Sequence, residues 1–94
     1  MDANIFNQIA IRMIKEQELI IGPLAWIEAA KVPSLSVHEQ GVVKIDSADQ
    51  KRVINALVAQ YERLFGKASR EVCKHAVAGF IAEMPADQIP ESLR

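Results

Sequence analysis

The sequence predicts a mainly α domain: four helices in two helix-corner-helix units, with a small β-hairpin or extended segment between them. Three observations carry this. Apolar residues recur at helical spacing in two long stretches, about 4–20 and 48–65. Each stretch runs into a glycine, Gly22 or Gly66, and a further apolar-periodic run follows. Half of the residues are hydrophobic while only five of 94 are aromatic, so the core is built from Ile, Val, Leu, Ala and Met. A chain of this length buries one core, and 1–94 is expected to be a single domain.

The first helix, about 4–20, sets Ile5, Phe6, Ile9, Ala10, Met13 and Ile14 on one face. Asp2 or Asn4 can cap its start, a short polar oxygen accepting from the free amides of the first turn. Gly22 suits the left-handed position that closes a helix, and Pro23 has the φ that opens the next, about 23–31. Leu24, Ala25 and Ile27 line that helix, and Ala29 and Ala30 allow close backbone approach. Pro33 ends it.

Over 35–45 the period changes to two. Leu35 and Val37 alternate with Ser36 and His38, Glu39, Gln40 and Gly41 form a turn, and Val43 and Ile45 flank Lys44. Ser47 and Gln50 then match a capping box opening the third helix, about 48–65. Its stripe is Val53, Ile54, Leu57, Val58, Tyr61, Leu64 and Phe65. Beyond Gly66 the fourth helix, about 68–83, carries Val72, Cys73, Ala76, Val77, Phe80 and Ile81 until Pro85 stops it. In the tail, 85–94, only Ile89 and Leu93 are apolar enough to dock on the core or on a partner.

Shifting one half by 44 residues superimposes Ile9, Ala10, Met13 and Ile14 on Val53, Ile54, Leu57 and Val58. Two readings stand. The halves are copies of one helix-glycine-helix unit, or they are amphipathic helices that align as any pair does at some shift. Between Ile9 and Gly22 only Glu18/Glu62 and Gly22/Gly66 are identities along that overlay.

"ELIIGPLAWIEAA" resembles a small helical module with an apolar-Gly-Pro-x-Ala core that recurs in bacterial signalling proteins beside kinase, response-regulator and other regulatory domains. The likeness spans Ile9 to Lys31 and, more loosely, "YERLFGKASREVCKHAV", Tyr61 to Val77, where Lys67 replaces the proline and Ser69 the alanine. The resemblance implies a regulatory, protein-interaction role and supplies no catalytic residues.

The residues themselves argue against several chemistries. One cysteine and two histidines lack the repeated spacing of a metal site, so no metal and no cofactor are expected. Cys73 and His75 lie about 200° apart around a helix, on different faces. Cys73 reads as a small core residue and His75 as a surface one, able to pair with Glu71 across a turn. Phosphate-cradling glycine loops and hydrolase elbows are missing, and "FGKAS" is too short for the former. Glu16, Glu18 and Glu28 read as a solvated face, since acid/base work needs carboxylates converging in a dry cleft. The expectation is a protein that is not an enzyme.

Net charge is −1, which gives no global drive toward nucleic acid or anionic membrane. With neither a basic-apolar leader nor an apolar run near ~18 residues, a cytoplasmic protein is expected, whether whole or a module of something larger. Between Lys51 and Lys74, however, six basic residues face two acidic ones. A helix, a glycine turn and "KASREVCKH" imitate a helix-turn-helix, so the alternative is a DNA-binding regulator using Lys67, Arg70 and Lys74.

The leading expectation is a non-catalytic interaction or regulatory module acting through an apolar helical surface, self-associating as a homodimer. Ile21, Trp26, Val43 and Phe65 are its candidate contacts. Trp26 reads either as a partner's anchor or as a cap on the small core, and with Leu19, Ile20 and Ile21 it makes more apolar surface near the corner than one short stripe can bury.

Overall fold

Helix α1, Ile5–Ile21, buries Phe6, Ile9, Ala10, Met13, Ile14 and Gln17, a single stripe at the helical period. The structure, a computed structural model, describes residues 5–38, 43–46 and 48–94. The proposed caps Asp2 and Asn4, the turn residues Glu39, Gln40 and Gly41, and Ser47 lie outside the described residues. Gly22 takes φ 70°, the left-handed region open to glycine, and its N–H bonds the Glu18 carbonyl at 2.9 Å. Pro23 then caps α2, Leu24–Ala29, with its fixed φ of −57°. That helix is shorter than the expected 23–31. The amides of Lys31 and Val32 turn back to Glu28 and Ala29 in tighter i→i+3 bonds, and Ser34 enters positive φ at 68°.

The hairpin strands form as expected. β1, Leu35–Val37, pairs antiparallel with β2, Val43–Ile45, in the register Leu35↔Ile45, Ser36↔Lys44, Val37↔Val43. Val43 and Ile45 of β2 are buried against α1 and Leu35 of β1 is buried on the side of α2, while Lys44 is exposed, the alternation that fixes a two-stranded sheet's register. The Ile45 amide donates to Asn7 Oδ1 at 3.2 Å, tying the hairpin to the first turns of α1.

α3, Gln50–Phe65, is capped by Asp49, whose Oδ1 accepts from the Arg52 amide at 3.2 Å. The helix therefore begins at Gln50, with the aspartate three residues before Arg52 as its cap. Its buried residues are Val53, Ile54, Leu57, Val58 and Tyr61. Gly66, φ 90° and ψ 178°, turns the chain into α4, Lys67–Ala76.

The single fourth helix expected over 68–83 is instead two, giving five α-helices among the described residues rather than four. Val77 leaves helical dihedrals, at φ −112° and ψ 11°, and its carbonyl starts α5, Ala78–Ala82, by accepting from Phe80 and Ile81. The bend drops Val77 fully into the core. The tail is also more ordered than its polarity suggests. Two 3₁₀ turns, Ala86–Gln88 and Glu91–Leu93, return it across α3 and α4, and Pro90 and Leu93 are buried there. Ser92 donates through both its amide and its hydroxyl to Asn55 Oδ1, at 3.0 and 2.6 Å.

One apolar cluster joins all of these elements. Its organisation repeats at the 44-residue shift seen in the sequence. The α1 positions 9, 10, 13, 14 and 17 and the α3 positions 53, 54, 57, 58 and 61 are all buried. The corners repeat too: the amides of Gly22 and Gly66 bond Glu18 and Glu62, and the amides of Ala25 and Ser69 bond Gly22 and Gly66. Across the core the two units make reciprocal hydrogen bonds. Tyr61 of α3 donates its hydroxyl to the Ala25 carbonyl of α2 at 2.6 Å. Gln17, its equivalent on α1, donates to the carbonyl of Ser69 on α4 at 3.0 Å, and Ser69 is the equivalent of Ala25. Chance alignment of two amphipathic stripes does not require long-range bonds to match in this way. Each unit thus donates one of these bonds to the second helix of the other.

Candidate interaction surface

The first corner carries the apolar side chains that the core leaves outside. Leu19 is 80% exposed, Ile20 63%, Ile27 55% and Leu24 39%, and Pro23 between them is exposed as well. From Leu19 to Ile27 no residue is charged. Burial on α1 follows positions 6, 9, 10, 13, 14 and 17; Leu19 falls on the opposite side of that helix, whereas Ile20 continues the stripe by helical angle, seven residues after Met13, and is exposed in the last turn. On α2 the buried residues are Ala25, Trp26, Glu28 and Ala29, leaving Leu24 and Ile27 facing water.

The four expected contact residues lie next to this surface rather than on it. Trp26 and Val43 are core residues, 7% and 5% exposed, and Ile21 and Phe65 are half-buried against the cluster. Of the two readings of Trp26, burial selects the cap on the core. Its indole Nε1 sits there without a hydrogen-bond partner. Leu19 and Ile20 belong to the expected apolar excess at the corner, and Leu24 and Ile27, expected only to line the second helix, are exposed beside them.

The second corner repeats the glycine turn and its amide bonds but has a different chemistry. At the positions equivalent to Leu19, Pro23, Leu24 and Ile27 it exposes Arg63, Lys67, Ala68 and Glu71, and only Leu64, the equivalent of Ile20, is a large apolar group, at 46% exposure. Lys67, Arg70 and Lys74 do converge, around a shallow hollow of about 390 Å³. Glu62 and Glu71 line the same hollow, and Arg70 Nε donates to the Ser92 carbonyl of the tail at 3.3 Å. Arg70 and Lys74 are half-buried.

Glu28 is not part of a solvated face. It is 8% exposed and bridges α2 to α3, with Lys31 Nζ at 3.0 Å from one oxygen and Gln60 Nε2 donating to the other at 2.8 Å. The Lys31 bond, then the Gln60 bond, hold its carboxyl below the ordinary 4.5. Because the folded chain binds this proton less readily than the unfolded one, the bridge contributes stability above the ordinary carboxylate value. That contribution disappears as pH falls through the lower folded value. Glu28→Gln should therefore flatten the acid limb of a urea-midpoint profile measured between pH 6 and pH 3, and an unchanged limb would remove Glu28 as its source.

The groups capable of nucleophilic chemistry are committed to packing. Cys73 is fully buried, accepts from Gln17 Nε2 at 3.4 Å, and burial pushes its thiol up to about 11 despite that bond. Burial likewise raises the Tyr61 phenol above its ordinary value, with smaller contributions from Cys73 and Glu28. His75 is exposed on the far side of α4 from Cys73, and no hydrogen bond or ion pair joins it to Glu71. Among the described residues no three His, Cys, Asp or Glu side chains gather closely enough to hold a metal ion, and no helix is long and apolar enough to cross a membrane. No protein family model, no curated protein and no solved structure matches the chain.

Proposed function

We propose that this chain is a non-catalytic protein-interaction module of a regulatory kind, working by self-association through the apolar first corner. The observation that carries the reading is the exposure of Leu19, Ile20, Leu24 and Ile27 in an uncharged run. With Pro23 these side chains offer on the order of 300 Å² of apolar surface, at roughly 100 Å² for a fully exposed aliphatic group. A patch of that size is as large as the largest on a typical monomer, about 300–600 Å², and such patches mark interaction sites. Burial of the Cys73 and Tyr61 groups also favours a binding role over bond-making, as does the regulatory role implied by the Gly-Pro-x-Ala resemblance.

The test is mass in solution. Sedimentation equilibrium over a dilution series should give an average mass that falls with concentration from twice that of the 10.4 kDa chain toward the chain itself. A single invariant monomer mass would reject self-association. The DNA-binding alternative through Lys67, Arg70 and Lys74 is less favoured, because two carboxylates share their hollow and the tail engages Arg70. It requires duplex affinity that falls steeply with salt. A titration at low salt that shifts no duplex disposes of it.

A further inference from the structure

The repeated architecture says what covers the apolar corner. We infer that its occupant is the same corner of a second copy of this chain, packed about a two-fold axis, and that the second corner is excluded from the contact. The inference rests on the self-association proposed above and adds its face, symmetry and stoichiometry.

The first argument compares the two corners. Both turn at a glycine of positive φ with matching amide bonds, and positions 19, 20, 23, 24 and 27 are exposed in the first as 63, 64, 67, 68 and 71 are in the second, yet the second folds with Arg63, Ala68 and Glu71 where the first has Leu19, Leu24 and Ile27. Making the corner therefore does not require exposed leucine and isoleucine. Their presence on only one of two equivalent sites points outside the chain.

The second argument is complementarity. Among the described residues the exposed large apolar side chains are Leu19, Ile20, Leu24, Ile27 and Leu64, and four of the five belong to the first corner. Among the described residues no other face groups several large exposed apolar side chains. A head-to-tail contact would set this patch against a more polar surface, so on a second copy its best match is the same patch. A self-complementary contact is isologous and closes as a dimer.

Charge leads to the same arrangement. A two-fold axis brings each residue close to its own copy, so any charge near the axis meets its like. Residues 19–27 carry none, whereas the equivalent stretch 63–71 holds Arg63, Lys67, Arg70 and Glu71. The first corner can face itself; the second would set Lys67 against Lys67. Area is consistent with a weak contact. Two such patches supply about 600 Å² of apolar surface, somewhat below the apolar share, roughly 65%, of the smallest stable interfaces near 1,200 Å² in total. A dimer of that size is weak and concentration-dependent.

The experiment copies each corner's chemistry onto the other in the full chain. Leu19→Arg with Ile27→Glu installs residues that the equivalent positions already tolerate. It should leave the helical circular dichroism and the urea midpoint of the monomer unchanged while weakening dimerisation by at least ~100-fold in sedimentation. Ile27→Glu alone serves the same purpose if the double variant fails to fold. Conversely, Arg63→Leu with Glu71→Ile creates a second apolar corner, and assemblies larger than a dimer are expected. A dimer in the parent chain that Leu19→Arg/Ile27→Glu leaves intact would overturn this assignment while self-association stands. An open series of oligomers in the parent chain would overturn the two-fold arrangement. A monomeric parent chain at every concentration would remove both readings together.

Discussion

Tyr61→Ala should lower stability by about 3–5 kcal/mol, the range for truncating a fully buried aromatic ring, read as a shift in the urea midpoint at constant slope. In a domain of this length that is a large part of the total, which is about 5–15 kcal/mol for folded proteins generally. Two losses combine. The ring is fully buried between the two units, and its hydroxyl is the partner of the Ala25 carbonyl in α2. Tyr61→Phe separates them: it keeps the ring and leaves that carbonyl without its donor, for about 1–3 kcal/mol. If Phe proves as costly as Ala, the hydrogen bond rather than the ring dominates. If Phe is neutral, the bond is replaceable and the reciprocal pair with Gln17 contributes little.

Gly66→Ala should cost about 1–3 kcal/mol with no steric clash to blame. An added Cβ would meet nothing within 4 Å. The penalty is torsional, because φ 90° with ψ 178° lies in a region that essentially only glycine occupies. Gly22 provides the internal comparison, since its Cβ would also enter open space and its φ of 70° is closer to the left-handed well that other residues can visit. Gly22→Ala is expected to be the milder of the two by thermal or urea melting. The reverse order would mean that the second corner relaxes easily and that the units are coupled less tightly than their shared hydrogen bonds imply.

Most of the architecture was legible in the sequence, because each element announced itself through period or through a residue that only one geometry suits. The stripe from Phe6 to Ile14, the stripe from Val53 to Tyr61, the glycine corners and the alternation of Leu35, Val43 and Ile45 all belong to this class. The break at Val77 did not, since the apolar spacing runs through it undisturbed and only packing decides that the valine turns inward. The tail was obscure for a related reason. Its order depends on Asn55 and Arg70, dozens of residues away, meeting Ser92, and no local pattern encodes such meetings. The candidate surface was legible in position but not in membership. Hydropathy located an excess of apolar residues around Gly22 and Pro23. It could not tell that the indole of Trp26 turns in while Leu19 and Ile20 turn out, because a wide apolar stretch supplies more residues than one helix face accepts. The overlay of the two halves did not announce that Gln17 and Tyr61 reach for carbonyls at equivalent positions, since a glutamine and a tyrosine share no obvious likeness in sequence.

The unpartnered indole nitrogen of Trp26 makes the protein its own optical probe. It is the chain's single tryptophan, enclosed by aliphatic side chains directly beneath the corner. Its fluorescence therefore arises from one site and belongs to the blue end of the indole range, where neither water nor a hydrogen-bond acceptor stabilises the excited state. Quenching by iodide or acrylamide reports the opening of that corner alone, without a label.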